Sequence, residues 1–228
     1  MAGLRVNLRP TLINTELACY GKRRASRLRA MQGLVAGQCA GAAGNGLGCP
    51  PGELKLNLGC GRKYLPGYVN CDLSTAVKAD KHFDLNQPPY PFASNCAAEI
   101  LLDNVLEHLD DIPLVMAELH RLLRPGGRLR IHVPYGKTDW ALQDPTHKHF
   151  FTERSMDYFC GANACDFYTP ARFKLRVARL YGHRSTWRHK LRNLLPCKHC
   201  LRYFFFNIYD GVFFELEKVE CAGEAAPQ

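Results

Sequence analysis

The stretch Leu54-Lys55-Leu56-Asn57-Leu58-Gly59-Cys60-Gly61 decides the fold. Leucine recurs at positions 54, 56 and 58, the two-residue period of a strand with one face in a core. The strand runs straight into Gly59-Cys60-Gly61. Glycine at that point lets the chain turn tightly and lets a ligand approach the backbone. A glycine pair on its own says little, so its value depends on the elements downstream of it.

Strand signals continue beyond the turn. Tyr68–Leu73, Lys81–Leu85, Glu99–Asp103 and Leu129–Val133 read as four further strands, and Phe173–Val177 and Val212–Glu217 as two closing ones. Asp110–Leu123 carries Ile112, Val115, Met116, Leu119 and Leu122 at helical spacing, and Pro125-Gly126-Gly127 ends it. Thr152–Phe159 reads as another helix with Thr152 as its N-cap. Pro88, Pro89 and Pro91 exclude regular structure between the third and fourth strands. Strands alternating with helices and short loops predict an α/β chain: a Rossmann-like, mostly parallel sheet with helices on both faces.

In such a sheet, ligands bind outside the carboxyl ends of the strands. Gly59 and Gly61 follow the first strand, Asp72 ends the second, Asp84 the third, and Asn104 follows the fourth. One rim thus collects two glycines, two carboxylates and an amide. Only ten residues, Arg62 to Cys71, separate Gly61 from Asp72, so the first crossover is abbreviated. A dinucleotide cofactor would want a helix N-terminus under its pyrophosphate. The short crossover leaves little room for one, which argues against a nicotinamide-dependent oxidoreductase.

Three segments together carry a family resemblance. Leu56-Asn57-Leu58-Gly59-Cys60-Gly61 resembles the glycine motif of class I S-adenosylmethionine (SAM)-dependent methyltransferases. Asp103-Asn104-Val105-Leu106-Glu107-His108-Leu109 is similar to their V-L-E-H-L segment. Glu118 to Gly127 looks like their helix and P-G-G turn before the fifth strand. The resemblance spans about residues 53–160 and implies SAM as the cofactor. It implies that the backbone of Gly59, Cys60 and Gly61 passes beside the methionine part and that Asp72 holds the ribose. Asp84 and Leu85 would border the adenine, Asn104 would face the sulfonium end, and His108 would support the cofactor loop. The chain departs from the pattern at Lys63, where the third glycine of the motif usually stands, and at Pro66-Gly67, which adds a turn.

Methyl transfer asks the protein to align the reactants and, for an O or N acceptor, to receive a proton. The loop after the fifth strand is the place to seek that group. Asp144-Pro145-Thr146-His147-Lys148-His149-Phe150-Phe151 resembles the D-P-T-H-x-x-F-F segment of one bacterial-type subgroup. His147 is the expected base and Asp144 its orienting partner, although both residues also suit a loop fastened over the cofactor. His147 and His149 lie two residues apart without an evident carboxylate partner, so no metal is expected. His120 falls inside a helix and reads as structural. Cys197-Lys198-His199-Cys200 is half of a zinc motif, and only Cys160 and Cys165 stand near enough to add to it.

Composition and charge place the remainder. With 46% hydrophobic and 22% charged residues the chain is an ordinary globular protein. No apolar run approaches the roughly 20 residues that cross a bilayer. Eleven cysteines, an odd number in a chain of this length without a secretory pattern, suit reduced thiols in the cytoplasm. Residues 1–52 hold seven Lys/Arg and one acid, and end in a Gly/Ala-rich stretch. They read as a flexible basic extension with one helix near 22–34, and also have the composition of an organelle transit peptide. The catalytic domain is expected over 53–220, with a tail at 221–228.

The insert 184–206 interleaves Arg and Lys with Trp187, Tyr203 and three phenylalanines. That composition serves single-stranded nucleic acid binding, and equally a cap over a substrate pocket or a surface for membrane-linked intermediates. No RNA-binding module accompanies it, which favours the cap or the surface for membrane-linked intermediates over RNA. The expected acceptor is a small molecule, a sugar or glycan precursor, methylated at O or N. An RNA methyltransferase and a SAM-binding protein without catalysis are the rival readings.

Overall fold

A computed structural model describes residues 53–161, 171–183 and 187–219, all within one unit, Gly44–Gln228. The expected helix at 22–34, the extension 1–52, the tail 221–228 and Cys165 lie outside the described residues.

Seven strands form one sheet: β1 (Leu54–Leu58), β2 (Val69–Asp72), β3 (Lys81–His82), β4 (Ala97–Asp103), β5 (Leu123–Pro134), β6 (Phe173–Tyr181) and β7 (Gly211–Lys218). Their order is β3-β2-β1-β4-β5-β7-β6. Neighbours among β1 to β5 pair in parallel, and β7 runs antiparallel to both β5 and β6. The mostly parallel Rossmann-like sheet read from the alternation is therefore present.

Register explains the core. Leu56, Ile100, Leu129 and Leu216 are successive partners across β1, β4, β5 and β7, and Leu58, Leu102, Ile131 and Phe214 form the next row. All eight are fully buried. Each such side chain contributes on the order of 1.5–3 kcal/mol by leaving water. Helix α1 (Ile112–Leu122) joins the same core through Val115, Met116, Leu119 and Leu122. Asp111 caps it, accepting from the Leu114 N–H at 3.1 Å, and Pro113 sits in the first turn, where a missing N–H costs nothing. The alternate rows carry charge: Arg130 pairs with Glu99 and Glu215, and Arg128 with Glu215.

The abbreviated first crossover extends further than the sequence suggested. No helix occurs at residues 59–68, 73–80 or 83–96, so β1 to β4 are joined by loops alone. Buried polar groups hold those loops. Glu118 of α1 accepts from the Tyr90 N–H and pairs with Arg121, whose guanidinium also donates to the carbonyls of Tyr90 and Phe92. The proline-rich segment is thereby tied to α1.

Several boundaries differ from expectation. The expected helix at 152–159 is a 3-10 turn over Ser155–Phe159, and Thr152 does not cap it. Instead the Thr152 N–H donates to Ser155 Oγ. The third strand stops at His82, because Asp84 folds into a local turn with Asn86. The insert contains two short helices, α3 (Trp187–Asn193) and α4 (Lys198–Leu201), after α2 (Asp139–Gln143) in the loop beyond β5.

Candidate active site

The carboxyl rim is built around Gly59. Its φ of +69° is left-handed, and a Cβ there would stand 2.5 Å from Val105 Cγ2. Both facts require glycine. The N–H groups of Gly59 and Cys60 donate to the Cys71 carbonyl at 2.8 and 2.9 Å. The Gly61 N–H donates to Asp72 Oδ2 at 2.7 Å, and the Ser74 N–H to Asp72 Oδ1 at 2.8 Å. Asp72 thus joins the glycine turn to the end of β2. Cys60 is buried, and burial, with Asp72 second, pushes its thiol pKa up. That side chain packs, and only the backbone of residue 60 is offered to a ligand.

The turn is supported from beneath by two asparagines, one inside the glycine motif and one on β2. Asn57 and Asn70 are buried, and Asn57 Nδ2 donates to Asn70 Oδ1 at 2.8 Å and to the Lys63 carbonyl at 2.9 Å. Asn70 in turn holds the Leu65 N–H and the Leu65 and Tyr68 carbonyls. Asp80 receives the Asn70 N–H, which lowers the pKa of its carboxyl. An asparagine at an interior strand position is the one signal in the sequence that points to this network.

Asp84 caps its own turn, with Asn86 N–H on Oδ1 and Gln87 Nε2 on Oδ2. Leu85 is buried and its carbonyl accepts from the Tyr90 hydroxyl at 2.7 Å. Asn104 is exposed, with a left-handed φ of +55°, and its N–H donates to the His132 carbonyl. Lys63, in the third glycine's position, pairs with Asp103 at 2.5 Å.

The loop after β5 folds back on the segment after β4. The N–H groups of Lys148 and His149 donate to the Glu107 carbonyl at 2.8 and 3.2 Å. This brings His147 over Glu107 and His108. The His147 side chain is 5% exposed. Its Nδ1 lies 2.8 Å from the Ala141 carbonyl, and its Nε2 lies 3.8 Å from Asp144 Oδ2 and 4.0 Å from Glu107 Oε1. The rings of His108 and His147 meet edge to face at 4.8 Å between centroids. Thr146 Oγ1 links Asp144 Oδ1, at 2.6 Å, to His108 Nδ1, at 3.0 Å. Glu107 is fully buried, and burial drives its carboxyl pKa up to about 7.

Asp144 and His147 are therefore adjacent, as their spacing predicts. The carboxylate that sequence spacing alone could not supply to His147 is Glu107, 40 residues earlier in the chain. His149 Nε2 is buried and has no hydrogen-bond partner among the described residues. His120 is an interior histidine, as its place in the helix predicts: it stacks edge to face on Phe173, and desolvation lowers its pKa to about 4.

The insert is fastened to the same loop. Lys137 Nζ donates to the Tyr203 carbonyl and Arg202 pairs with Glu153, and just beyond the insert Asn207 Oδ1 accepts from the Asp139 N–H. Tyr203 and Phe204 to Phe206 remain exposed on it. Cys197 and Cys200 are exposed and free.

Residues 47–131, which include β1 to β4 and most of β5, match the methyltransferase domain family. No curated protein matches the chain. Among solved structures, a SAM-dependent methyltransferase from Archaeoglobus fulgidus superposes with a TM-score of 0.51 at 13% identity, covering 86% of this chain and 94% of its own. A Haloferax volcanii protein solved in complex with the Trm112 methyltransferase activator gives a TM-score of 0.51 at 11% identity, covering 91% and 96%. At these identities the likeness is one of fold. No described helix is long and apolar enough to cross a membrane.

Proposed function

We propose that the chain is a class I SAM-dependent methyltransferase that transfers a methyl group to O or N of a small molecule, a sugar or glycan precursor. The observation that carries this reading is the Gly59–Gly61 turn fastened to Asp72 on the carboxyl rim of a parallel sheet. Two features suit the cofactor. A Cβ on Gly61 would meet nothing within 4 Å, so the turn has open space beside it. Each Asp72 oxygen receives one N–H and keeps acceptor capacity for a ribose hydroxyl.

Gly59, Cys60 and Gly61 would line the methionine part through their backbone, and Asp72 would hold the ribose. Asp84 and Leu85 would border the adenine. Asn104 would face the sulfonium end, and His108 would brace the loop below it. Bound SAM supplies a methyl on an already activated leaving group. The protein's share is alignment, exclusion of water and removal of a proton. Asp144 is 42% exposed whereas His147 is buried behind it, so the roles expected from the sequence would be exchanged, with Asp144 as the proton's receiver and His147 as the residue behind it. The insert, clamped to the 137–153 loop, forms the acceptor-side wall. Buried free thiols at Cys60, Cys71 and Cys96 suit a reducing cytoplasm.

Calorimetry with S-adenosylhomocysteine tests the cofactor, and cell extract fractionated after incubation with methyl-labelled SAM tests the acceptor. Saturable binding that weakens at least tenfold in Asp72→Ala and is lost in Gly59→Arg is expected, with label in the small-molecule fraction. Absence of binding by folded protein overturns the cofactor assignment. Label in bulk RNA, with binding that falls steeply with salt, would replace the acceptor class. Cofactor binding without transfer to any acceptor would mark a non-catalytic SAM-binding protein.

A further inference from the structure

We infer that Glu107, His108 and His147 form a binding site for one divalent transition-metal ion beside the cofactor rim. One donor atom from each lies within 4.8 Å of the other two. An ion with bonds of about 2.0–2.2 Å in tetrahedral geometry holds its donors about 3.3–3.6 Å apart, so binding draws the three together by up to about 1.5 Å, within the reach of side-chain rotation.

The second observation is independent of the clustering. Glu107 is fully buried, and neither of its carboxylate oxygens has a hydrogen-bond partner. Buried polar atoms are almost always paired, and an unpartnered carboxylate facing two imidazoles is a donor set waiting for a cation. The imidazoles are oriented in the manner of ligands. His147 Nδ1 is held by the Ala141 carbonyl at 2.8 Å, and His108 Nδ1 by Thr146 Oγ1 at 3.0 Å. With the proton on Nδ1, each ring keeps its lone pair on Nε2, and that of His147 lies 4.0 Å from Glu107 Oε1. Anchoring of the far nitrogen by a carbonyl or hydroxyl is what fixes metal-bound histidines. Asp144 Oδ2, 3.8 Å from His147 Nε2, adds a second negative charge at the mouth.

Two imidazoles and a carboxylate select ions such as Zn²⁺, Mn²⁺, Fe²⁺ or Co²⁺ over Mg²⁺ and Ca²⁺, which prefer oxygen. Three protein donors leave an open position. Glu107 lies two residues beyond Val105, whose methyls approach Gly59, so the segment that carries two of the three donors also packs on the glycine turn of the rim. An acceptor hydroxyl bound at the open position would lose its proton more readily, with Asp144 to receive it.

The test uses the full chain, treated with chelator and titrated with Co²⁺. One equivalent with visible absorption bands is expected, together with at least tenfold weaker binding in Glu107→Gln, His108→Ala and His147→Ala. Cys197→Ser/Cys200→Ser should bind as the unaltered chain does. The melting temperature and the far-ultraviolet circular dichroism report whether each variant is folded. Protein that binds S-adenosylhomocysteine but no Co²⁺ overturns the metal site and leaves the cofactor reading intact. Co²⁺ binding that survives in both Glu107→Gln and His108→Ala, or disappears with the two cysteines, overturns it as well.

Discussion

Asn57 Nδ2 donates to Asn70 Oδ1 at 2.8 Å across the β1–β2 pair, with both residues buried. These amides take the place of the missing crossover helix, because they hold the returning chain at Lys63, Leu65 and Tyr68. Asn70→Ala removes the acceptor for Asn57 and for the Leu65 N–H together. A buried group left unpaired costs about 1–3 kcal/mol. Urea denaturation should show the stability of Asn70→Ala falling by that amount at constant slope. Asn57→Ala should cost less, because it strands fewer partners. An unchanged midpoint in Asn70→Ala would mean that the turn is held some other way.

Gly59 and Gly61 share left-handed φ values, +69° and +51°, but not surroundings. Gly61→Ala has only the backbone penalty to bear, about 1–2 kcal/mol. Gly59→Ala adds a Cβ 2.5 Å from Val105 Cγ2 and must displace it. Thermal unfolding should therefore rank Gly59→Ala well below Gly61→Ala. Val105→Ala, which removes those methyls, should return part of the loss in a Gly59→Ala/Val105→Ala double variant. Equal melting temperatures for the two single variants would contradict the close approach.

How legible these features are in the sequence depends on separation along the chain. The alternation of Leu54, Leu56 and Leu58, and the helical spacing from Ile112 to Leu122, are local patterns that declare an element by themselves. The rim is legible for the same reason, since each of its residues stands at the end of a strand or within a few residues beyond it. Glu107 is not, because its meaning comes from His147, which the loop beyond β5 carries back to it. The 3-10 turn at Ser155–Phe159 reads as a helix because Thr152 has the chemistry of a cap, and the competing Ser155 hydroxyl can be recognised only in three dimensions. The insert is opaque because its contacts, such as Arg202 with Glu153, join residues that share no periodicity.

The pair Glu118–Arg121 is almost wholly inside the protein, with side chains 1% and 7% exposed. Its value lies in what it ties down: Glu118 takes the Tyr90 N–H, and Arg121 takes the Tyr90 and Phe92 carbonyls and Ser94 Oγ. Arg121→Met would leave the Glu118 carboxyl group in the core with the Tyr90 N–H but without its ion-pair partner. Breaking a buried pair on one side costs about 3–5 kcal/mol. The expected readout is that loss in denaturant unfolding, with early proteolysis in the 83–96 loop. Glu118→Gln/Arg121→Met, which leaves no unpaired charge, should recover part of the stability. A loss below about 1 kcal/mol in Arg121→Met would show that the pair adds little to the fold.

His120 gives stability a defined dependence on pH. Desolvation, with Lys218 next, lowers its folded pKa from 6.5 to about 4, while unfolded chain keeps the ordinary value. Between those limits the unfolded state binds a proton that the folded state refuses. Stability from this residue is therefore full above about pH 6.5 and declines as the pH falls towards 4. Glu107, whose folded pKa is raised to about 7, contributes in the opposite sense, so the total curve mixes the two. The difference between the unaltered chain and His120→Gln isolates the histidine. Glutamine keeps a donor for the Val219 carbonyl, which lies 3.4 Å from His120 Nε2, and does not titrate. Denaturant midpoints measured from pH 7.5 to 4.5 should fall less steeply for His120→Gln, and parallel curves would show that His120 is protonated in the folded protein as readily as in the unfolded one.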